Sequence, residues 1–265
     1  MNAVDYRGQT TLITGASAGI GAEFARQIAA RGSHVVLVAR RRERLDKLAA
    51  ELTAAHGVQA TAIPLDLSRP AAGQTLAEDV ARRGLTVTSV VNNAGFGTFG
   101  PFHTEDPHRL REEISVDVAG VVDISRAFIE QLRTSGTGVL INVASMAAYV
   151  PTPNMAVYAA AKAFVLSFTE ALWQESLDTG LRVLALSPGA TSTEFFDVIG
   201  TDSADGGTKR QSPQEVVTTA LRTLDRRTPP PSVISGRLNR MMASLGRAVT
   251  RRRAVLLMGS MTAAR

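Results

Sequence analysis

The stretch Thr10-Thr-Leu-Ile-Thr-Gly-Ala-Ser-Ala-Gly-Ile-Gly21 decides which fold this chain is expected to adopt. Residues 10–14 have the apolar and β-branched character of a buried strand, and the pattern after the glycines is helical up to residue 31. Such glycines could form an ordinary tight turn. After the first strand of an α/β chain, however, they let the backbone approach a pyrophosphate, which a helix N-terminus attracts. We therefore expect this loop to bind a dinucleotide through its pyrophosphate. The residues expected to bind it are Gly15, Ser17, Gly19, Ile20 and Gly21.

Outward from this loop, apolar runs alternate with amphipathic segments along almost the whole chain. Further strands are predicted at residues 33–39, 59–65, 88–92, 139–143 and 181–187, and helices at 41–55, 70–83, 107–134 and 155–178. Two helix starts are marked, one by Asp106-Pro107 and one by a capping box from Ser212 to Glu215. Because apolar strands that alternate with helices form parallel sheets, we expect an α/β fold with a single Rossmann-type doubly wound parallel sheet and helices on both faces.

The composition excludes several classes of protein. The chain has 265 residues and no cysteine, which argues against disulfide scaffolds, zinc ribbons and cysteine nucleophiles. Its longest apolar runs, at 35–39 and 254–258, are far shorter than the roughly 20 residues that span a bilayer. The N-terminal residues lack the apolar core of a signal peptide. We therefore expect a cytoplasmic protein, and no residue pattern indicates a metal site.

Positive charge is concentrated near the C-terminal end. The formal net charge is +5, yet residues 237–265 hold seven arginines and no acid, so that residues 1–236 carry −2. We predict one catalytic domain at 1–236, with no nucleic-acid partner, and a basic amphipathic tail at 237–265. The tail could lie on an anionic membrane surface. We favour the other two interpretations, a solvated helix packed on its own domain or on a neighbouring subunit.

The end of the second predicted strand bears on the choice of cofactor. An NAD site would place an acid there to hold the ribose hydroxyls, whereas this chain has Ala39 followed by arginines. Arg40 could form a paired contact with a 2′-phosphate, so we predict NADP(H) as cofactor. We interpret Arg42 and Arg44 as solvated charges of an exposed helix. Asp66, which ends the third predicted strand, could accept a hydrogen bond from the adenine amine or cap the next turn.

Three residues form a candidate catalytic group. Tyr158 and Lys162 are spaced i, i+4 in a helical stretch, and Ser145 ends the preceding strand region. A free phenol has a pKa of about 10, so that action near neutral pH requires a downward shift of about 3 units. The Lys162 ammonium and an oxidised nicotinamide could supply that shift. A surface pair with no catalytic role is the alternative.

Together these features resemble the short-chain dehydrogenase/reductase family of the Tyr-x-x-x-Lys type. The resemblance covers about residues 8–235 and rests on residues 14–21, Asn92-Asn93-Ala94-Gly95, Ser145, Tyr158-Ala-Ala-Ala-Lys162 and Pro188-Gly189. It implies a single Rossmann domain, commonly assembled as a homodimer or homotetramer. It also implies an NADP(H)-dependent oxidoreductase that interconverts a carbonyl and an alcohol on a small-molecule substrate.

The resemblance further implies roles for individual residues. Tyr158 would be the general acid or base, and Ser145 would hydrogen-bond the same substrate oxygen. Lys162 would lower the pKa of Tyr158 and bind the nicotinamide ribose. The other cofactor-binding positions implied are Asn93, Ala94, Gly95, Pro188, Gly189, Thr191 and Thr193.

One position departs from the family pattern. Relatives usually carry an Asn in the long helix before the serine strand, where it helps to hold a water of the proton relay. This chain has Asp117 there. A carboxylate could still support that water, but its charge would blunt the effect of Lys162 on the pKa of Tyr158. We expect the relay to survive with a shifted pH optimum, unless Asp117 points elsewhere.

The segments expected around the substrate are apolar, among them 146–151 and 195–199, which favours an apolar carbonyl compound of a lipid-like or steroid-like kind. Two other functions compete with this one. A dinucleotide-binding sensor or scaffold that has lost turnover would keep the fold, but it would not need Ser145, Tyr158 and Lys162. A sugar-nucleotide epimerase would need a larger C-terminal substrate domain, and only 76 residues follow Gly189.

Overall fold

A computed structural model describes residues 3–205, 207–246 and 249–262. Its strands are β1 (Thr10–Thr14), β2 (His34–Ala39), β3 (Ala60–Pro64), β4 (Ser89–Asn92), β5 (Val139–Val143), β6 (Arg182–Ser187) and β7 (Ser232–Ile234). All pair in parallel in one seven-stranded sheet of order β3-β2-β1-β4-β5-β6-β7. The strand order reverses between β1 and β4, and ligands of such sheets bind at the carboxyl ends of the strands beside that point.

The helices are α1 (Gly19–Ala29), α2 (Arg42–His56), α3 (Ala72–Arg82), α4 (Pro107–Ile114), α5 (Gly120–Ser135), α6 (Ala156–Glu175), α7 (Phe195–Ile199), α8 (Pro213–Leu224), α9 (Arg237–Gly246) and α10 (Arg251–Thr262). Residues of α1, α2 and α8 form one apolar core, and residues of α3 and α5 form another. Successive strand residues divide between these cores, as Leu37 and Val38 of β2 do, because strand side chains alternate between the two faces. The predicted doubly wound sheet is therefore confirmed.

Both predicted helix starts are also confirmed. Asp106 accepts a hydrogen bond from the backbone of His108 at the start of α4, and Ser212 and Glu215 cap α8 reciprocally. The long helix predicted at 107–134 is instead α4, a π-helical turn over Ser115–Ala119, and α5. π-Helical turns inside helices are frequent at functional sites, and this one carries Asp117.

The sequence did not predict β7, which has only three residues and follows a run of prolines. Prolines lack the N–H of a strand ladder, so a short strand beside them has almost no sequence signal. The strand forms by pairing with β6, where Ala185 donates to the carbonyl of Pro231 and pairs with Ser232.

The last helix of the described residues, α10, contacts the loop that follows Ser145. Asn154 donates to the carbonyl of Thr262, and Pro153 lies next to Gly259. Gly206, and Arg247 and Arg265 of the predicted tail, lie outside the described residues. The division at residue 236 stays a prediction. Among the helices of the described ranges, none is both long and apolar enough to cross a membrane.

Candidate active site

The glycine-rich loop lies between β1 and α1, at the carboxyl edge of the sheet. Gly15 has a φ of 65°, and a Cβ there would lie 2.7 Å from Asn93 Nδ2. A Cβ on Gly21 would lie 2.4 Å from the carbonyl oxygen of Gly15. Glycine is required at both positions, because a side chain would collide with backbone or change the turn. The result is a cradle of bare backbone at the N-terminus of α1.

Residues after β4 fasten this loop to the sheet. The hydroxyl of Thr14 accepts hydrogen bonds from the backbone N–H groups of Asn93 (2.9 Å) and Ala94 (3.0 Å). The side chain of Asn93 donates to the carbonyl of Thr14 at 3.0 Å. Asn93 and Ala94 therefore lie beside the predicted dinucleotide loop, and their contact with the cofactor stays a prediction.

A cluster of charges lies beside the loop, beyond the end of β2. Arg41 donates to the hydroxyl of Ser17 from both Nε (3.1 Å) and Nη2 (2.9 Å). Its Nη1 is 2.7 Å from a carboxylate oxygen of Glu194, which also pairs with Arg44. Arg40 is exposed next to this cluster. The sequence left Arg41 undecided and missed Glu194, because only folding brings that acid, which lies beside Thr193 in the chain, across to α2.

Asp66 takes the role of a turn cap in this structure. Its Oδ1 accepts hydrogen bonds from the backbone (3.0 Å) and the hydroxyl (2.8 Å) of Ser68. Burial alone would raise the pKa of Asp66, but the Ser68 hydrogen bonds and the charge of Arg40 together lower it. Asp66 is thus a carboxylate beside Arg40, and the predicted contact with adenine stays a prediction.

The candidate catalytic residues meet at the carboxyl ends of β4 and β5. Lys162 Nζ lies 2.8 Å from Asp117 Oδ2 and 5.5 Å from the centre of the Tyr158 ring. The backbone N–H of Phe96 donates to Asp117 Oδ1 at 3.0 Å. A Cβ on Gly95 would lie 2.9 Å from Lys162 Nζ, so a side chain there would press on the ion pair over which the chain passes. Asp117 therefore points at Lys162 and not away from it.

Ser145 lies beside Tyr158. It begins the 3₁₀ turn Met146–Ala148, and its hydroxyl accepts a hydrogen bond from Ala147 at 3.1 Å. The same hydroxyl lies close enough to Tyr158 to lower the pKa of the phenol by hydrogen bonding. The structure thus brings Ser145, Tyr158, Lys162 and Asp117 into one group.

Burial and charge shift the pKa values of this group. Burial raises the pKa of Asp117, and the attraction of Lys162 opposes it. Burial alone would lower the pKa of Lys162, but Asp117, Tyr158 and Glu113 together raise it. For Tyr158, desolvation raises the pKa, Lys162 lowers it, and Asp117 and Glu113 raise it further.

The net direction for the pKa of Tyr158 is upward, so Lys162 alone does not bring this phenol below its ordinary pKa, and the combined shift predicted for Lys162 with an oxidised nicotinamide stays a prediction. Lys162 does act in the expected direction. Its ammonium, however, is 2.8 Å from the Asp117 carboxylate, which offsets its charge. Tyr158 is therefore held in its protonated form, which is the form that can donate a proton.

A second buried acid, Glu113, was missed by the sequence analysis. It lies at the end of α4, four residues before Asp117, and its side chain has no exposed surface. Desolvation raises its pKa to about 7, although Thr98 donors oppose the shift. The signal that could have revealed it is the i, i+4 spacing to Asp117, which places both acids on one helix face.

The segment after β6 forms the remaining wall. The carbonyl of Pro188 accepts a hydrogen bond from Met146 at 2.9 Å, and the hydroxyl of Thr191 donates to the carbonyl of Gly189. The side chain of Thr193 lies 2.9 Å from where a Cβ on Gly19 would stand. Thr193 therefore lies against the dinucleotide loop, and the cofactor contacts that the resemblance implied for this segment stay a prediction.

Aromatic and apolar side chains continue this wall beside Tyr158. The Phe195 ring lies 5.4 Å from that of Tyr158, and both rings lie against Gly97. Gly189 lies against Asn239 of α9. The described part of α9 therefore borders the site.

Comparisons with known proteins agree with this geometry. The family model described as short chain dehydrogenase matches residues 9–204. The chain is 34% identical over 195 residues to 2,3-dihydro-2,3-dihydroxybenzoate dehydrogenase of Bacillus subtilis, which is 74% of each chain. It is 30% identical over 247 residues to 7beta-hydroxysteroid dehydrogenase of Collinsella aerofaciens, covering 91% of this chain and 90% of that one.

Solved structures include a short-chain dehydrogenase from Sphingobium yanoikuyae in complex with NADPH. It superposes with a TM-score of 0.80 at 32% identity, over 97% of this chain and 96% of that one. The similarity therefore extends over the sheet, the glycine-rich loop and the segments around Tyr158.

Proposed function

Because this chain belongs to the short-chain dehydrogenase/reductase family, whose members are oxidoreductases that bind a nicotinamide dinucleotide, we propose that it interconverts a carbonyl and an alcohol with NADP(H). The observation that carries the proposal is the meeting of Ser145, Tyr158 and Lys162 at the sheet edge that also holds the glycine cradle. A sensor or scaffold without turnover would not need that group.

The bare backbone at Gly15 and Gly21 fits a pyrophosphate, since no side chain fills the cradle. When bound, the nicotinamide supplies or accepts the hydride. The Ser145 hydroxyl donates a hydrogen bond to the substrate oxygen, and Tyr158 gives its phenolic proton to that oxygen during reduction. In the oxidative direction, Tyr158 takes the proton back. Lys162 stabilises the tyrosinate that forms and holds the ribose.

The preference for NADP(H) over NAD(H) rests on arginines at the end of β2. Arg40 and Arg41 supply cationic donors beside the loop, and Arg41 already reaches Ser17. Of the two carboxylates described in this region, Asp66 is engaged by Ser68 and Glu194 by Arg41 and Arg44. A 2′-phosphate placed among these groups would gain charge-assisted hydrogen bonds.

An apolar ketone or alcohol fits the site best. The Phe195 ring lies beside the Tyr158 ring and continues into Phe196 at 5.6 Å. Such a wall excludes water and offers few partners for the hydroxyls of a sugar. The similarity to a hydroxysteroid dehydrogenase over most of both chains supports a substrate of steroid-like size and polarity.

The chain is also proposed to assemble as a homodimer or homotetramer. An apolar groove between the π-helical turn and α6 is lined by Ile114, Val118, Val157 and Phe164. Ile114 is 47% exposed and Phe164 is 42% exposed. The same face of a second copy of the chain would cover these apolar side chains. An Ile114→Asp variant is expected to elute as a smaller species than the parent in size-exclusion chromatography with light scattering.

Titration with NADPH and with NADH, read by fluorescence, tests the proposal, followed by a panel of carbonyl compounds. We expect tighter binding of NADPH, weakened in Arg40→Ala, and a turnover that falls by about 10²-fold or more in Tyr158→Phe without loss of NADPH binding. Tight binding without turnover on any compound would favour the sensor. No binding of either nucleotide would contradict both functions.

The role of Asp117 is tested by the pH–rate profile. Asp117→Asn removes the carboxylate that offsets the charge of Lys162, so the pKa of Tyr158 is expected to fall. The alkaline limb of kcat/KM for carbonyl reduction should then move to lower pH. An unchanged profile would show that the ion pair has no influence on the proton donor.

A further inference from the structure

Glu113 is the one acid of the cluster that the proposed reaction does not use. Its side chain is fully buried, and neither carboxylate oxygen has a well-formed hydrogen bond in the described part of the chain. A buried acid that only the poorly aligned Thr98 donors contact is costly, so its presence at this place requires a reason.

The surroundings of Glu113 are those of the reaction centre. Asp117 follows it by four residues, and Lys162 and Tyr158 face it from α6. From the loop after β4, the uncharged Thr98 faces it. Each of the three titratable neighbours feels the charge of Glu113, and Lys162 and Asp117 already offset one another at 2.8 Å. The protonation of Glu113 therefore decides whether this cluster is neutral or carries one negative charge.

We propose that Glu113 is a positioning residue whose buried carboxyl sets the net charge around Tyr158 and so keeps the phenol protonated for donation to a carbonyl. This inference deepens the function proposed above and rests on it. With Glu113 neutral, Tyr158 faces a compensated ion pair. With Glu113 ionised, the added negative charge opposes formation of tyrosinate, so the proton donor stays loaded as the pH rises.

The charge of Glu113 should shift the pH dependence of activity in a definite direction. The titration of Glu113 about neutral pH places the added negative charge in the pH range above 7. There it extends the range over which Tyr158 is a proton donor in reduction, and it delays the appearance of the tyrosinate base needed for oxidation. The pH profiles of kcat/KM for reduction and for oxidation both depend on the ionisation of Tyr158, so the two profiles should shift together.

The test measures Tyr158 itself by ultraviolet difference titration of tyrosinate. Subtracting the curve of Tyr158→Phe from that of the parent removes the other two tyrosines of the chain. The same subtraction is made for Glu113→Gln, with Tyr158→Phe in the Gln background. At a fixed alkaline pH on the rising part of the curve, the tyrosinate fraction of Glu113→Gln should be about threefold to tenfold higher, as expected for one removed charge at this range.

Glu112→Gln is the matched control, because it removes the same charge from the exposed neighbour, and it should leave the titration unchanged. Glu113→Asp keeps the charge and should restore the parent titration. If Glu113→Gln does not fold, Glu113→Met removes the acid with an apolar side chain that the buried site tolerates. Equal titrations of the parent, Glu113→Gln and Glu113→Met would overturn the inference.

The titration needs no substrate, so its outcome is independent of the proposed reaction. A shifted tyrosinate titration in a protein without reductase activity would sustain the electrostatic role and contradict the function. Normal NADPH-dependent reduction with an unshifted titration would contradict the role of Glu113 alone.

Discussion

The two ends of the proposed cofactor groove keep their charges in opposite surroundings. At one end, which we call the adenosine end, Ser17, Arg40, Arg41, Arg44 and Glu194 lie at the surface, and the Arg41 and Glu194 side chains are 43% and 41% exposed. At the other, the catalytic end, the Lys162 and Asp117 side chains are 5% and 0% exposed, and Glu113 is buried beside them.

This difference decides what each ion pair can do. An exposed pair contributes about 0–1 kcal/mol, so Arg41 can exchange Glu194 for a phosphate at little cost. Breaking a buried pair by removing one partner costs roughly 3–5 kcal/mol, because a charge is left in a poorly solvated site. The adenosine end is therefore suited to binding and release, and the catalytic end to holding a fixed charge around Tyr158.

The largest effect is expected from Asp117→Ala, which leaves Lys162 buried without its anion. The free energy of unfolding should fall by roughly 3–5 kcal/mol, measured by urea denaturation. Asp117→Asn is the control, since an amide oxygen can still accept the hydrogen bond from Phe96 and the loss should be smaller. If Asp117→Ala is as stable as the parent, the buried ion pair contributes no more to stability than the exposed pairs at the adenosine end, which contradicts the comparison.

Glu113 should make stability depend on pH. Its pKa is raised from 4.5 to about 7 in the folded protein, so its contribution is complete below the unfolded value and is lost as the pH rises through about 7. Relative to Glu113→Gln, the parent should lose about 3 kcal/mol of unfolding free energy between pH 4 and 8. Urea denaturation across this range measures the difference, and a constant difference would mean that Glu113 is not titrating there.

At the adenosine end, Arg41→Ala should weaken NADPH binding about tenfold, because a charge-assisted contact with the 2′-phosphate is lost. Binding of NADH should change far less, and fluorescence titration measures both. Arg42→Ala is the control, since Arg42 pairs with Asp46 within α2. Equal losses for NADPH and NADH would show that Arg41 does not read the 2′-phosphate.

The smallest effect is expected from Glu194→Gln. The unfolding free energy should change by less than about 1 kcal/mol, because the pairs with Arg41 and Arg44 are exposed. NADPH should bind slightly more tightly, since Arg41 no longer has a competing partner, and the gain should vanish at high salt. A loss of several kcal/mol in the free energy of unfolding would show that the Glu194 pairs contribute as much to stability as the buried Lys162–Asp117 pair.

Much of the fold and part of the site follow from local patterns. The strand, glycine loop and helix that begin at Thr10 are specified by neighbouring residues, as is the capping box of α8. The i, i+4 spacing of Tyr158 and Lys162 is likewise a property of one helix. The short β7 is not, because its pairing with β6 comes from residues far away in the chain.

Local patterns in the sequence were enough to predict six of the seven strands, the place of the dinucleotide loop and the identity of the three candidate catalytic side chains. How the charges of these side chains are balanced depends on the tertiary structure. Asp117 meets Lys162 across the fold, Glu113 becomes buried with them, and Glu194 crosses to Arg41. The reason is physical: backbone patterns depend on near neighbours, whereas the pKa of a side chain depends on burial and on charges that distant segments bring within a few ångströms.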